Sequence, residues 1–189
     1  DLGGLRVGYA VGDPELITVK GQRLLRSCPV ILYAGSLMPE AVLEGHRAER
    51  LINTAELHLG QIIQLIREAH DNGQDVARVH SGDPSLYGAI GEQIRHLRAL
   101  AIPFQIIPGV TATAACAALL ESELTLPGVS QTLILTRYAS TSQMPAGEQL
   151  ADLARHGATM AIHLGVVHLA KIVAELLPHY GADCPIAVV

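Results

Sequence analysis

The chain has 189 residues, 49% of them hydrophobic and 16% charged, and thirteen basic against eighteen acidic side chains leave a formal net charge of -5. That balance excludes a disordered chain, which combines low hydrophobicity with high charge. No nucleic-acid partner is expected: a basic excess is missing, and with no Trp and one Phe there is hardly a surface for bases to stack on.

Residues 5–10 read as a first strand ending in glycine. Asp13 can cap the next helix, with Pro14 at its first position and Glu15 in its first turn. That helix is expected from Pro14 or Thr18 to Arg26. Residues 28–33 are continuously apolar, as in a strand covered on both faces. Residues 40–50 read as a short helix and 51–53 as a short strand. Leu59, Ile62, Ile63, Leu65, Ile66 and Ala69 make an apolar stripe at helical spacing, closed at Asn72-Gly73. Strand 75–80, helix 89–100, strand 104–107 and an Ala-rich helix 111–120 follow. This alternation of strand, loop and helix argues for parallel strands in an α/β layer. In such sheets ligands sit beyond the carboxyl ends of the strands, so the loops at 8–14, 35–38, 81–88 and 108–113 would gather on one edge.

After residue 122 the composition shifts. Strand 132–136, helix 150–156 closed by Gly157, strand 159–164, helix 167–177 and a last strand over 186–189 predict a second α/β domain. The division expected is 1–122 and 123–189, with the final strand cut short as in a fragment. Cys28, Cys116 and Cys184 are far apart and form no CxxC pair, so neither a zinc knot nor a disulfide framework is expected. Cys28 and Cys116 read as small core residues. The nine histidines show no HExxH spacing, and no metal site is assigned; His80 alone is singled out, because it ends a strand on the ligand edge. The first residues lack a basic-then-apolar leader, and the apolar run 112–120 is too short to span a bilayer. A cytoplasmic protein without a membrane partner is expected.

Three loops carry the chemistry. Gly8-Tyr9-Ala10-Val11-Gly12-Asp13 could bring backbone close to a ligand, or be a tight turn with an Asp cap. It is not a dinucleotide fingerprint, because Asp13 stands where the third glycine belongs. The segment Ser81-Gly82-Asp83-Pro84-Ser85-Leu86-Tyr87-Gly88 offers a carboxylate, a hydroxyl and a phenol. Asp83 could accept from ligand hydroxyls or face a cation; equally it could cap the helix while Tyr87 packs. Pro108-Gly109-Val110-Thr111-Ala112-Thr113 opens a helix of small residues, which suits a flat ligand or close helix-on-sheet packing.

Several segments, in order along the chain, resemble the tetrapyrrole (corrin/porphyrin) methyltransferase family: 11–21, Tyr33-Ala34-Gly35-Ser36-Leu37, 79–90 and Ile107-Pro108-Gly109-Val110-Thr111. Residues 123–137 and 153–159 resemble the branch acting at C11 of a corrin precursor. The resemblance implies two α/β domains with a ligand cleft between them, a homodimer, and C-methyl transfer from S-adenosylmethionine to a corrinoid precursor. It implies cofactor contacts at Val11, Ser81, Gly82, Asp83, Leu86, Thr111 and Ala112, and in the second domain at Leu164 and Ala187. Asp83 as an orienting acceptor, Tyr87, and Arg137 as partner of substrate carboxylates are the candidate catalytic residues. The first loop departs from the family's Gly-Ala-Gly-Pro-Gly-Asp pattern: Tyr9, Ala10 and Val11 replace its Ala, Gly and Pro. Another ring position, or a relative that only binds the cofactor or a tetrapyrrole, is the alternative reading.

Overall fold

An apolar strand has to be covered on both faces, and the sheet of the first unit is built around two such strands. The computed structural model describes residues 5–7 by their backbone, and residues 13–35, 38, 40–139 and 142–189. It divides into two units, Asp1–Ala115 and Cys116–Val189. In the first, β1 (Leu5–Val7), β2 (Val30–Tyr33), β3 (Arg50–Asn53), β4 (Val76–Val79) and β5 (Phe104–Ile106) form a parallel sheet in the order β3-β2-β4-β1-β5. Its helices are α1 (Val19–Ser27), α2 (Leu59–Asp71) and α3 (Ile90–Ala99), and α4 (Ala112–Leu119) begins in this unit and ends in the second.

Alternation along the strands sorts the core into two halves. Val30, Leu32 and Val76 pack with Ile62, Ile63, Ile66 and Ala69 of α2 and Leu97 of α3. Ile31, Ala77 and Val79 pack on the other face with Leu25 of α1, Cys28, Val42 and Leu43. The crossover from β1 to β2 therefore lies on one face, and those from β3 to β4 and β4 to β5 on the other, as right-handed connections require. β1 and β4 are neighbours whose connections leave in opposite directions. Their carboxyl ends mark the switch point where sheets of this kind take ligands.

Local chemistry explains the element boundaries. Asp13 caps only a short 3-10 helix, Pro14–Leu16, its Oδ1 accepting from the Glu15 amide at 2.8 Å. Ile17 is then extended, and Thr18 Oγ1 caps α1 afresh by accepting from the Gly21 amide. Of the two starts expected for the helix, Thr18 is the one it uses, and Pro14 opens only the 3-10 turn. α2 starts with a capping box in which His58 Nδ1 accepts from the Gln61 amide and Gln61 Oε1 from the His58 amide. Gly73 ends the helix region at φ 69°.

Residues 40–50 are not a helix. A 3-10 turn, Glu40–Leu43, gives way to a turn at Gly45 (φ 75°), and the chain runs extended so that Arg50 can enter β3. Cys28 is buried, whereas Cys116 is only half-buried.

The second unit holds a parallel pair, β6 (Leu133–Arg137) and β7 (Thr159–His163), with α5 (Leu150–Ala154) and α6 (Leu169–Tyr180). Leu150, Ala154, Ala158 and Ile172 are its buried apolar residues. Ser130 Oγ accepts from the Thr159 amide, and Tyr180 Oη donates to the Ala158 carbonyl. α6 begins two residues later than expected, after a 3-10 turn, Val166–His168. The strand expected over 186–189 is absent: those residues are exposed and lie outside any strand. Among the described residues no helix is long and apolar enough to cross a membrane.

Candidate active site

β4 delivers the central loop. His80 follows the strand, then Ser81 (half-buried), Gly82 (buried, φ 73°) and Asp83. Asp83 does two jobs: Oδ1 accepts from the Ser85 amide at 2.8 Å, and Oδ2 accepts from the Gly109 amide at 2.9 Å. The second bond joins the loop after β4 to the loop after β5. Partial burial pushes the Asp83 carboxyl up, but the amides of Gly109 and Ser85 outweigh it and hold the group below its ordinary pKa.

The rest of the loop is tightly wound. The Leu86 amide donates to the Asp83 carbonyl. A Cβ on Gly88 would stand 2.3 Å from the Pro84 carbonyl oxygen, so only glycine lets the chain fold back here. Its neighbours Tyr87 (φ 56°) and Ala89 (φ 51°) are both left-handed, a costly conformation for residues with a Cβ. Such strain concentrates at functional sites. Tyr87 is exposed. On the β5 side, Thr111 Oγ1 accepts from the Ala114 amide and caps α4; Thr111 and Ala112 are half-buried. The structure therefore brings Ser81, Gly82, Asp83, Leu86, Tyr87, Thr111 and Ala112 into one unit, with the Asp83–Gly109 bond linking their loops.

Two features escaped sequence reasoning. Asn53 and Thr54 brace the next strand end: Thr54 donates to the Tyr33 carbonyl through both its amide and Oγ1, while Asn53 Oδ1 accepts from the Gly35 and Ala55 amides. The other is Arg78, 5% exposed, which stands beside His80, the histidine singled out from its strand-end position and itself 9% exposed. Arg78 Nη1 donates at 3.4 Å to the carbonyls of Leu32 and of Val79, while Arg78 Nε and His80 Nε2 have no hydrogen-bond partner among the described residues. Burial and the adjacent guanidinium push His80 down to about 3, so its imidazole is neutral near pH 7. A charge inside an otherwise apolar strand, Val76-Ala77-Arg78-Val79, was the available signal.

The second unit carries Arg137, Leu164 and Ala187. The Arg137 guanidinium donates to the Tyr138 carbonyl and to the carbonyl and Oγ of Ser142, the last at 2.8 Å. Leu164 is exposed and left-handed (φ 57°) at the end of β7. Ala187 is exposed. Val11 and the other first-loop residues 8–12 lie outside the described residues, as do Ser36 and Leu37.

The profile of the tetrapyrrole (corrin/porphyrin) methylases matches residues 6–189. This chain belongs to the tetrapyrrole methylases. The precorrin-4 C(11)-methyltransferase of Pseudomonas aeruginosa is 75% identical to this methylase over 183 residues, which is 97% of the chain and 73% of that protein. Among solved structures, a cobalt-precorrin-4 methyltransferase of cobalamin biosynthesis superposes with a TM-score of 0.86 at 37% identity, covering 94% of this methylase and 76% of that chain. The uroporphyrin-III C-methyltransferase of Thermus thermophilus, solved with S-adenosyl homocysteine, gives a TM-score of 0.76 at 29% identity over 96% of this methylase and 74% of that chain.

Proposed function

We infer that this methylase transfers a methyl group from S-adenosylmethionine to C11 of precorrin-4 or its cobalt form, in cobalamin synthesis. The observation that carries this is the 75% identity to a precorrin-4 C(11)-methyltransferase along 97% of the chain. S-adenosylmethionine supplies an electrophilic methyl on a sulfonium, so no covalent enzyme intermediate is needed.

The residues present suit such a donor. Asp83 is held ionised by two amides, and a fixed negative charge attracts a cation without having to take a proton. Thr111 Oγ1 already accepts from the Ala114 amide and keeps its hydrogen for a ligand acceptor. Ser81 and the backbone of Gly82 and Leu86 offer further polar contacts, and Ala112 leaves room for a flat group. Val11 joins this set on the family resemblance. Tyr87 is assigned to the reacting face of the ring; its exposure and its left-handed backbone support that role.

In the second unit, Leu164 contacts the cofactor, supported by its left-handed backbone, and Ala187 does so on the resemblance of its segment. Arg137 receives a carboxylate side chain of the ring, because a planar guanidinium matches one in two-point fashion. Its bonds to Tyr138 and Ser142 fix the fork beforehand. The enzyme's contribution is positioning and the exclusion of water rather than acid–base chemistry. A cytoplasmic homodimer is part of this reading.

Calorimetric titration with S-adenosylmethionine and S-adenosyl homocysteine, followed by mass analysis of the corrinoid product, tests the proposal. One added methyl at C11 and stoichiometric S-adenosyl homocysteine are expected. Asp83→Ala should weaken cofactor binding by about tenfold, the scale of one lost charge-assisted contact. Uptake of the cofactor with no product from either ring substrate would leave only a binding protein. Sedimentation of the pure protein checks the dimer.

A further inference from the structure

We propose that Arg78 is a positioning residue: buried beside the 81–88 loop, it ties the carboxyl ends of β2 and β4 together and keeps that loop in its cofactor-taking shape, at the expense of fold stability. The proposal rests on the cofactor reading above for its last link only.

Arg78 lies in a strand whose four residues are all buried, and the other three are apolar. Its guanidinium makes no ion pair with any described carboxylate. Both Nη1 bonds go to main-chain carbonyls, one on each strand, and both are long at 3.4 Å. The register explains the reach: Leu32 stands opposite Arg78, and Tyr33 opposite Val79 is the last pair of the ladder. The side chain is a clamp at the final rung, two residues before His80 and three before Ser81.

As a stability element the clamp is poor. Nε has no acceptor among the described residues, and two long neutral acceptors do not repay removal of a guanidinium from water. Burial lowers Arg78 to about 10, which still leaves it charged at neutral pH. His80, two residues on and just past the strand, adds a second enclosed nitrogen with no partner among the described residues. Buried ion groups can often be replaced by apolar side chains of similar volume with no loss of stability, or a gain. What immediately follows the clamp is the loop whose Asp83 reaches 26 residues along the chain to Gly109. Holding that loop in register is the return for the charge.

Arg78→Met and Arg78→Lys test this through three readouts: the urea midpoint, hydrogen exchange at the Gly109 amide, and S-adenosyl homocysteine affinity by calorimetry. Arg78→Met should unfold at the same or a higher urea midpoint. Its Gly109 amide should nevertheless exchange about tenfold faster while core amides of β2 and β4 keep their protection. Its affinity should fall about tenfold. Arg78→Lys, which keeps a charged donor, should recover most of both losses. A lowered midpoint or a failure to fold in Arg78→Met would overturn the proposal, since Arg78 would then be a stabilising core residue. Unchanged Gly109 exchange would overturn it too, as would an Arg78→Lys no better than Arg78→Met. If the wild-type chain took up no S-adenosyl homocysteine while Gly109 exchange moved as stated, the positioning would stand and the cofactor reading would fail.

Discussion

Acid should unfold this protein partly through one histidine. His80 is 9% exposed, and burial first, then the Arg78 charge, take its pKa from 6.5 to about 3. Between those values the unfolded chain carries a proton on His80 that the folded chain refuses, so unfolding takes up a proton and falling pH favours it. The effect is nil above 6.5, grows by about 1.4 kcal/mol per pH unit below it, and stops growing near 3. From pH 7 to pH 4.5 the loss is about 2.7 kcal/mol, a large part of a stability that is typically about 5–15 kcal/mol. Urea unfolding monitored at several pH values between 7.5 and 4.5 measures the slope. Other groups titrate as well: Asp83, held below its ordinary value, gives up its contribution as pH falls through its folded pKa, below the window probed, and His163 is lowered by burial. The decisive quantity is therefore the difference between wild type and His80→Gln, whose side chain does not titrate. The variant should lose about one proton's worth of slope whatever its stability at pH 7. Parallel pH curves for the two proteins would refute the reasoning, because His80 would then titrate alike folded and unfolded.

Three further substitutions probe the loops. Gly88→Ala drives a Cβ to 2.3 Å from a backbone oxygen that cannot swing aside, and should cost about 1–3 kcal/mol in urea unfolding. It should also weaken S-adenosylmethionine binding by displacing the turn. Ala89→Gly frees an exposed left-handed residue at φ 51° and should raise stability by about 1 kcal/mol, read as a higher urea midpoint. Thr111→Ala removes the oxygen that accepts from the Ala114 amide and should cost about 1 kcal/mol, seen as a lower melting temperature.

Much of the first unit was legible because burial writes itself into spacing. The stripe of α2 and the apolar run of β2 mark faces that must leave water, and both elements stand where the pattern puts them. Legibility failed where short local bonds compete. Thr18 restarts a helix that Asp13 had begun, and Gly45 ends the run after residue 43, although composition alone suits a longer helix. For Asp83 the sequence left a choice between cap and ligand acceptor. The structure shows a carboxylate bonded at both oxygens, one bond local to Ser85 and one to an amide 26 residues away. No local reading of the chain contains the second bond.

The residue types and their order along the chain determined the parallel α/β layer of the first unit, the loops at its strand ends and the family to which they belong, because periodicity, glycine and proline act over a few residues. Tertiary structure alone decided which strands are neighbours, that the loops after β4 and β5 are bonded through Asp83, and that Arg78 and His80 are sealed with nitrogens unpartnered among the described residues. Each of those depends on groups far apart in sequence losing water together, and solvation in the folded state belongs to the assembled environment rather than to any stretch of residues.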